Sequence, residues 1–283
     1  MSELRLSRNA VGLIRARLGH LDIVLLGDIE RHRYLSTRQI ARLHFHSKPT
    51  EVAALRATNR ALARLSDMRL ISPLERRIGG VRAGSGSYVW CLASLGFRIL
   101  HEAERGDGLP LRRREVEPSL YFLEHTLAIA ELHVALVEAE RAGLIRLTRL
   151  QLEPEAWRPY NSMGGVTFRL KPDMTATTET GDYEDHWFFE VDLGSEAPSR
   201  VLRKCQQYEQ YLRTGLEQRR LGVFPAVAWI VPDEARRGRL AARIGAEAGL
   251  TPGLHRVIRL EDLDDLLQGQ VESVNHHQKG SPS

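Results

Sequence analysis

Asp173, Glu190, Asp192 and Lys204 are the residues of this chain whose types and spacing could do chemistry. Asp173 follows a proline in F-R-L-K-P-D-M-T, residues 168–175. Glu190 and Asp192 stand two apart in H-W-F-F-E-V-D-L-G, residues 186–194, and Lys204 lies in R-K-C-Q-Q-Y, residues 203–208. Side chains alternate across an extended strand, so Glu190 and Asp192 share one face, as Lys171 and Asp173 do on the preceding run. Adjacent strands could gather Asp173, Glu190 and Asp192, where like charges repel unless a cation neutralises them. An all-oxygen ligand set favours Mg²⁺ or Mn²⁺, and such an ion activates water and stabilises charge building on a phosphodiester. Lys204 sits beside the apolar stripe of the next helix and could reach the same spot. Glu131, on a long helix further upstream, could close the cluster. Each residue also has a plainer use: an Asp after Pro often serves a turn, and Glu-x-Asp on a strand is often a solvated edge. His125 reads as a buried hydrogen-bonding histidine and His186 as a surface residue at a strand end.

The elements that must position these groups are legible as hydrophobic periodicity. A helix is expected over 119–142, where Leu120, Leu123, Leu127, Ala130, Val134 and Val137 recur every three or four residues and Gly143 ends the run. Strands are expected at 145–153, 166–177 and 186–193, then a helix at 197–213 with Val201, Cys205, Tyr208 and Leu212 inward. Phe224 to Val231 is a further apolar strand, Asp233 caps a helix to about 248, and His255 to Leu260 is a last strand before a helical turn at 261–267. That order makes an α/β or α+β domain with a mixed sheet.

The N-terminal half has a different pattern and a different charge. Residues 1–114 hold 21 Lys and Arg against 10 Asp and Glu, a balance of +11, and the remainder holds 19 against 26, a balance of −7. A basic half joined to an acidic half is expected of a nucleic-acid-binding module attached to a second domain. Helices are expected at 22–33, after the Ser36 cap with Gln39 at the capping-box position, and at 51–67 after Thr50. On the third helix Val52, Leu55, Asn59, Leu62 and Leu65 read as one face, and Arg56, Arg60 and Arg64 as a basic stripe. A strand-like M-R-L-I-S-P-L, a basic Gly-rich loop with Arg76, Arg77 and Arg82, and the strand Tyr88 to Leu92 follow. Three helices and a basic hairpin make a winged helix-turn-helix, which sets its third helix in the DNA major groove with the wing on the backbone or minor groove. Such arginines would supply phosphate or base contacts. A shorter helix at 94–105 closes the module.

The expected organisation is a winged helix at 1–110, a mixed-sheet domain at 115–268 and a polar, disordered tail at 269–283. Cys91 and Cys205 lie far apart with no CxxC partner, so two ordinary buried thiols are expected rather than a disulfide framework or a cysteine-based zinc site. No run reads as a membrane span and the start lacks a basic-then-apolar leader, so a cytoplasmic protein with no membrane partner is expected.

Pro172-Asp173, then Glu190-Val191-Asp192 on a strand, behind a helix carrying Glu131, resembles the core of PD-(D/E)xK nucleases. The likeness covers roughly 118–260 and implies a restriction-endonuclease-like domain. Where that core has a lysine, this chain has Asp192; Lys204, or else Lys171, stands as the substitute. Over nearly the whole length excluding the tail, F-L-E-H-T-L-A-I-A-E-L, L-K-P-D, H-W-F-F-E-V-D-L-G-S-E and R-K-C-Q-Q-Y, behind R-H-R-Y-L-S-T-R-Q-I-A-R-L, resemble the replication-relaxation family of actinobacterial and firmicute plasmids and integrative elements. The resemblance implies work on plasmid or mobile-element DNA, in replication or in relaxation of supercoils. As a Mg²⁺-dependent nicking enzyme the chain would hold its ion on Asp173, Glu190 and Asp192, with Lys204 and Glu131 assisting. The other reading is a non-catalytic replication or transcription regulator with a degenerate nuclease-like domain. The implied partners are double-stranded DNA, a second copy of the chain, and replication or mobilisation proteins.

Overall fold

The computed structural model describes residues 8–74, 88–101, 118–161 and 165–270. The loop with Arg76, Arg77 and Arg82, residues 102–117 around the expected domain boundary and residues 271–283 lie outside the described residues. Two compact units result, Met1–Val134 and Ala135–Ser283.

The first unit runs α1 (Arg8–Arg15), α2 (His20–His32), β1 (Leu35–Ser36), α3 (Thr37–His44), α4 (Glu51–Asp67), β2 (Ile71–Pro73), β3 (Val89–Leu92), α5 (Ser94–His101) and the start of α6 (Leu120–Arg141). Its strands form an antiparallel sheet in the order β1-β3-β2, so the two arms flanking the basic loop are paired. The caps read from the sequence are formed. Ser36 Oγ accepts from Gln39 N at 3.2 Å while Gln39 Oε1 accepts from Ser36 N at 3.0 Å, and Thr50 Oγ1 accepts from Ala53 N at 3.1 Å. Each cap satisfies helix-start donors that water would otherwise have to meet.

α4 buries a different face from the expected one. Ala54, Thr58, Leu62 and Leu65 are inward, whereas Val52 is 58% exposed and Asn59 is exposed. Thr58 can be buried because its hydroxyl donates to the Ala54 carbonyl at 2.9 Å, which removes the cost of an unsatisfied polar group. α5 packs so tightly that a β-carbon on Gly96 would collide with the Leu70 carbonyl oxygen.

The second unit is built on a five-stranded mixed sheet in the order β10-β9-β8-β7-β4. β4 (Arg146–Leu152), β7 (Met174–Thr180) and β8 (Tyr183–Val191) run antiparallel; β9 (Ala226–Val231) and β10 (His255–Arg259) continue parallel to β8. The parallel links require crossovers, supplied by α7 (Pro198–Leu212) and α8 (Leu216–Leu221), then by α9 (Glu234–Gly245) with its Asp233 cap. Phe188, Val227, Trp229 and Val257 on the sheet share one core with Val201, Cys205 and Tyr208 of α7 and with Leu240 and Ile244 of α9. A 3₁₀ turn at Leu260–Asp262 and α10 (Leu263–Leu267) end the unit.

The strand expected at 166–177 is two strands. β6 (Thr167–Leu170) pairs with β5 (Arg158–Asn161) in a separate ribbon, and β7 begins only at Met174. Pro172 has no N–H for a ladder and biases Lys171 before it, so the chain changes sheet there. β8 starts at Tyr183, earlier than expected, which places His186 inside the strand. There its ring is 8% exposed and bonded to Thr177 Oγ1 at 3.1 Å, the reverse of a surface residue. His125 is half-buried and stacks on Tyr121. Contrary to expectation, α6 has the length and apolarity to cross a membrane. Leu123, Ala130, Leu132, Val134, Leu136 and Ala139 are nevertheless buried in the protein, as in a core helix.

Candidate functional site

The second unit brings Asp173, Glu190 and Lys204 together. Glu190 is the penultimate residue of β8, opposite Trp229 of β9, and faces α7. On α7, Lys204 and Tyr208 are four residues apart and therefore on one side of the helix. Lys204 Nζ donates to Glu190 Oε2 at 2.5 Å and Tyr208 OH donates to Oε1 at 2.5 Å. Asp173 enters from the junction before β7. Its N–H donates to the Phe189 carbonyl at 3.2 Å and its Oδ2 accepts from Val191 N at 2.8 Å. The carboxylates are buried, while the Lys204 side chain is 30% exposed, so the centre meets solvent at the ammonium.

Burial pushes the Glu190 carboxyl up to about 8; the negative charge of Asp173 adds to this, against the pull of Lys204 and of the Tyr208 hydroxyl. Burial also opposes the Lys204 charge, but Glu190 and Asp173 outweigh it and hold the ammonium above its usual range. Tyr208 is raised by burial and by Glu190 beside it. Cys205, between them in sequence, is raised by burial and by Glu190, which makes it an inert packed thiol.

Asp192 has a different environment. Its Oδ2 accepts from Arg236 Nε at 2.7 Å and its Oδ1 from Gly194 N at 2.7 Å, while Arg236 Nη2 donates to the Glu196 carbonyl at 2.8 Å. Both side chains are buried, at 5% and 2% exposure. Alternation does put Glu190 and Asp192 on one face of the sheet, but Glu190 lies under α7 and Asp192 under the N-terminus of α9. Glu131 belongs to a network of the first unit, where Gln39 Nε2 donates to it at 3.1 Å and Arg42 pairs with it.

Among the described residues no three His, Cys, Asp or Glu side chains group as a metal cluster. Asp173 and Glu190 are the carboxylates of this centre, and a magnesium ion that completes its shell with water and substrate phosphate would need one or two such groups. Lys204 is the counter-ion Glu190 has, and a divalent cation would add to its pull against burial.

The basic stripe on α4 divides. Arg56 and Arg60 are exposed. Arg64 instead forks onto Asp22, donating from Nη1 to Oδ2 at 2.9 Å and from Nη2 to Oδ1. Burial opposes the Asp22 charge, but Arg64 and the Gly19 N–H hold it below the usual carboxylate range. Arg64 therefore ties α4 to α2. Tyr208 and Arg236 were not singled out for these roles from the sequence. The spacing of Lys204 and Tyr208 carried a signal for the first; Arg236 had none, since its partner lies 44 residues away.

A family model described as replication-relaxation matches residues 26–227, well over half of the chain. Neither a curated protein nor a solved structure matches it.

Proposed function

The chain belongs to the replication-relaxation family, and we propose that it binds plasmid or mobile-element DNA through its first unit and cleaves or nicks that DNA at Asp173, Glu190 and Lys204. The observation that carries this reading is the Lys204 ammonium on Glu190 beside Asp173. A lysine from the following helix thereby supplies the positive charge that Asp192, turned to Arg236, does not. A half-buried lysine whose charge is held by two carboxylates at an opening to solvent is suited to hold a scissile phosphate and to stabilise the charge that grows on it during attack. A divalent ion bound to Asp173 and Glu190 would polarise a phosphoryl oxygen and lower the pKa of bound water. Tyr208 fixes the Glu190 carboxylate from the opposite side, so the acid cannot rotate away from the lysine. Arg56 and Arg60, exposed on consecutive turns of α4, would give duplex affinity through phosphates.

A second reading has its own support. Both Glu190 oxygens already accept hydrogen bonds and the third carboxylate is committed to Arg236, as in a non-catalytic regulator that retains the nuclease architecture. Supercoiled plasmid incubated with Mg²⁺ or Mn²⁺ separates the two. Nicked or relaxed product from the wild type, lost in Asp173→Asn and Glu190→Gln, is expected. Intact plasmid under conditions where the protein is bound to it would establish the regulator. Activity that survives both substitutions would remove this centre from the chemistry.

A further inference from the structure

The β5–β6 ribbon presents charge that the Asp173–Glu190–Lys204 centre does not use. Its register sets Arg158 opposite Leu170 and Tyr160 opposite Phe168. Tyr160 and Leu170 turn inward and join the core shared with α7. Alternation then turns Trp157, Pro159, Arg169 and Lys171 to the outer face. Trp157 is one step beyond the Arg158–Leu170 pair, hence across from Lys171 and diagonal to Arg169, the positions from which long side chains meet across a ladder. They do meet: the Arg169 guanidinium carbon lies 5.2 Å and the Lys171 ammonium 4.4 Å from the centre of the Trp157 ring.

Both cations are exposed, and among the described residues the indole ring, not a carboxylate, is the partner found for each. Two like charges drawn to one ring repel each other and gain nothing from a neutralising neighbour. The attraction of each to the ring face holds them in place all the same. The result is a pair of cations whose side-chain freedom is already reduced, so an anion that bridges them finds less ordering left to do. Lys171 precedes Asp173 by two residues, which limits their backbone separation to about 7 Å. Such a pair beside a phosphate-handling centre matches the repeating negative charge of a nucleic-acid backbone.

The geometry points to a phosphate clamp: Arg169 and Lys171, held on Trp157, seat backbone phosphates of duplex DNA next to the one presented to Asp173, Glu190 and Lys204. The clamp rests on the reading of the chain as a DNA-acting protein. It gives Lys171 a binding role in place of a catalytic one, and it makes the ribbon the element that sets how far along the strand the reacting phosphate lies.

The test is the salt dependence of binding of the full chain to a defined duplex oligonucleotide, read by fluorescence anisotropy over on the order of 50–200 mM salt. Each phosphate contact contributes roughly 0.9 to the log–log slope, so Arg169→Gln with Lys171→Gln is expected to flatten it by roughly 2. The control removes two equally exposed cations from α9, Arg239→Gln with Arg243→Gln, and should leave the slope unchanged. A double variant with the wild-type slope, or a control that flattens it equally, overturns the clamp while leaving the DNA-acting reading in place. Wild-type protein that binds no duplex at all overturns both, and that outcome is distinct because every variant is then silent. An acidic peptide that displaces DNA from the wild type no better than from the Arg169/Lys171 variant is expected; selective displacement from the wild type would make the ribbon a protein-docking face instead.

Discussion

Replacing Arg236 by methionine tests whether Asp192 is an anchor of the fold or part of a metal site. In the native protein Arg236 meets Asp192 Oδ2 and the Glu196 carbonyl, both at 2.8 Å or closer, and the pair is almost wholly removed from solvent. Methionine keeps much of the packing but leaves Asp192 buried with the Gly194 N–H as the bond to its other oxygen. Breaking a buried pair by deleting one partner costs about 3–5 kcal/mol, because the orphaned charge keeps its desolvation penalty. Adding Asp192→Asn to Arg236→Met removes that charge and should restore more than half of the loss. The double-mutant cycle should therefore show a coupling of about 2 kcal/mol or more. For a unit of this size each kcal/mol corresponds to roughly 2–4 °C in Tm, so Arg236→Met should lower the melting point by roughly 6–20 °C. Urea titrations followed by circular dichroism give the free energies, and calorimetry the midpoints. A loss under about 1 kcal/mol, or strictly additive single changes, would refute the assignment. So would a divalent-ion-dependent rise in stability that Asp192→Asn abolishes and Arg236→Met leaves intact.

Glu190 gives a pH signature. Its folded-state carboxyl is raised from 4.5 to about 8, so the stability it contributes is complete below 4.5 and is lost as pH rises towards 8, while the unfolded side chain ionises and the folded one keeps its proton. Glu190→Gln should abolish that component, so urea midpoints measured from pH 5 to 9 should fall more steeply in the wild type than in the variant; parallel profiles would count against it. Gly96→Ala forces a β-carbon into the Leu70 carbonyl and should cost about 1–3 kcal/mol of first-unit stability, visible as a lower melting temperature. Arg56→Ala with Arg60→Ala should weaken duplex binding and flatten its salt slope by roughly 2 with Tm unchanged. Arg64→Ala should instead lower Tm through the loss of its fork onto Asp22, and an equal fall in Tm for Arg56→Ala would show that the stripe is structural throughout.

Local signals carried most of the elements into view. The Ser36–Gln39 box, the Thr50 and Asp233 caps and the apolar run before Pro232 are written in neighbouring residues, and the helices and strands they bound are present. The split at Pro172 was marked by the proline itself, yet the apolar and β-prone residues on both sides read as one strand. The second ribbon, with β5 as partner, follows from a pairing that no local pattern specifies. On α4 the inward face is displaced from the apolar count because Thr58 could satisfy its hydroxyl on its own helix.

The residue types and spacing by themselves pointed to Asp173, Glu190, Asp192 and Lys204 as one group, through the chemistry that such side chains could share and the alternation that sets Glu190 and Asp192 on one face. They could not separate Glu190 from Asp192, which share a face of the sheet. That decision belonged to the tertiary structure, since residues two apart on a strand stand between about 6 and 7 Å apart, far enough to lie under different helices. α7 brought Lys204 and Tyr208 to one carboxylate; α9 brought Arg236 to the other. Packing likewise decided that Arg64 of one stripe pairs with Asp22 and that Lys204 is the lysine that meets Glu190. Charge is a property of the residue, but the partner that neutralises it is chosen by the fold.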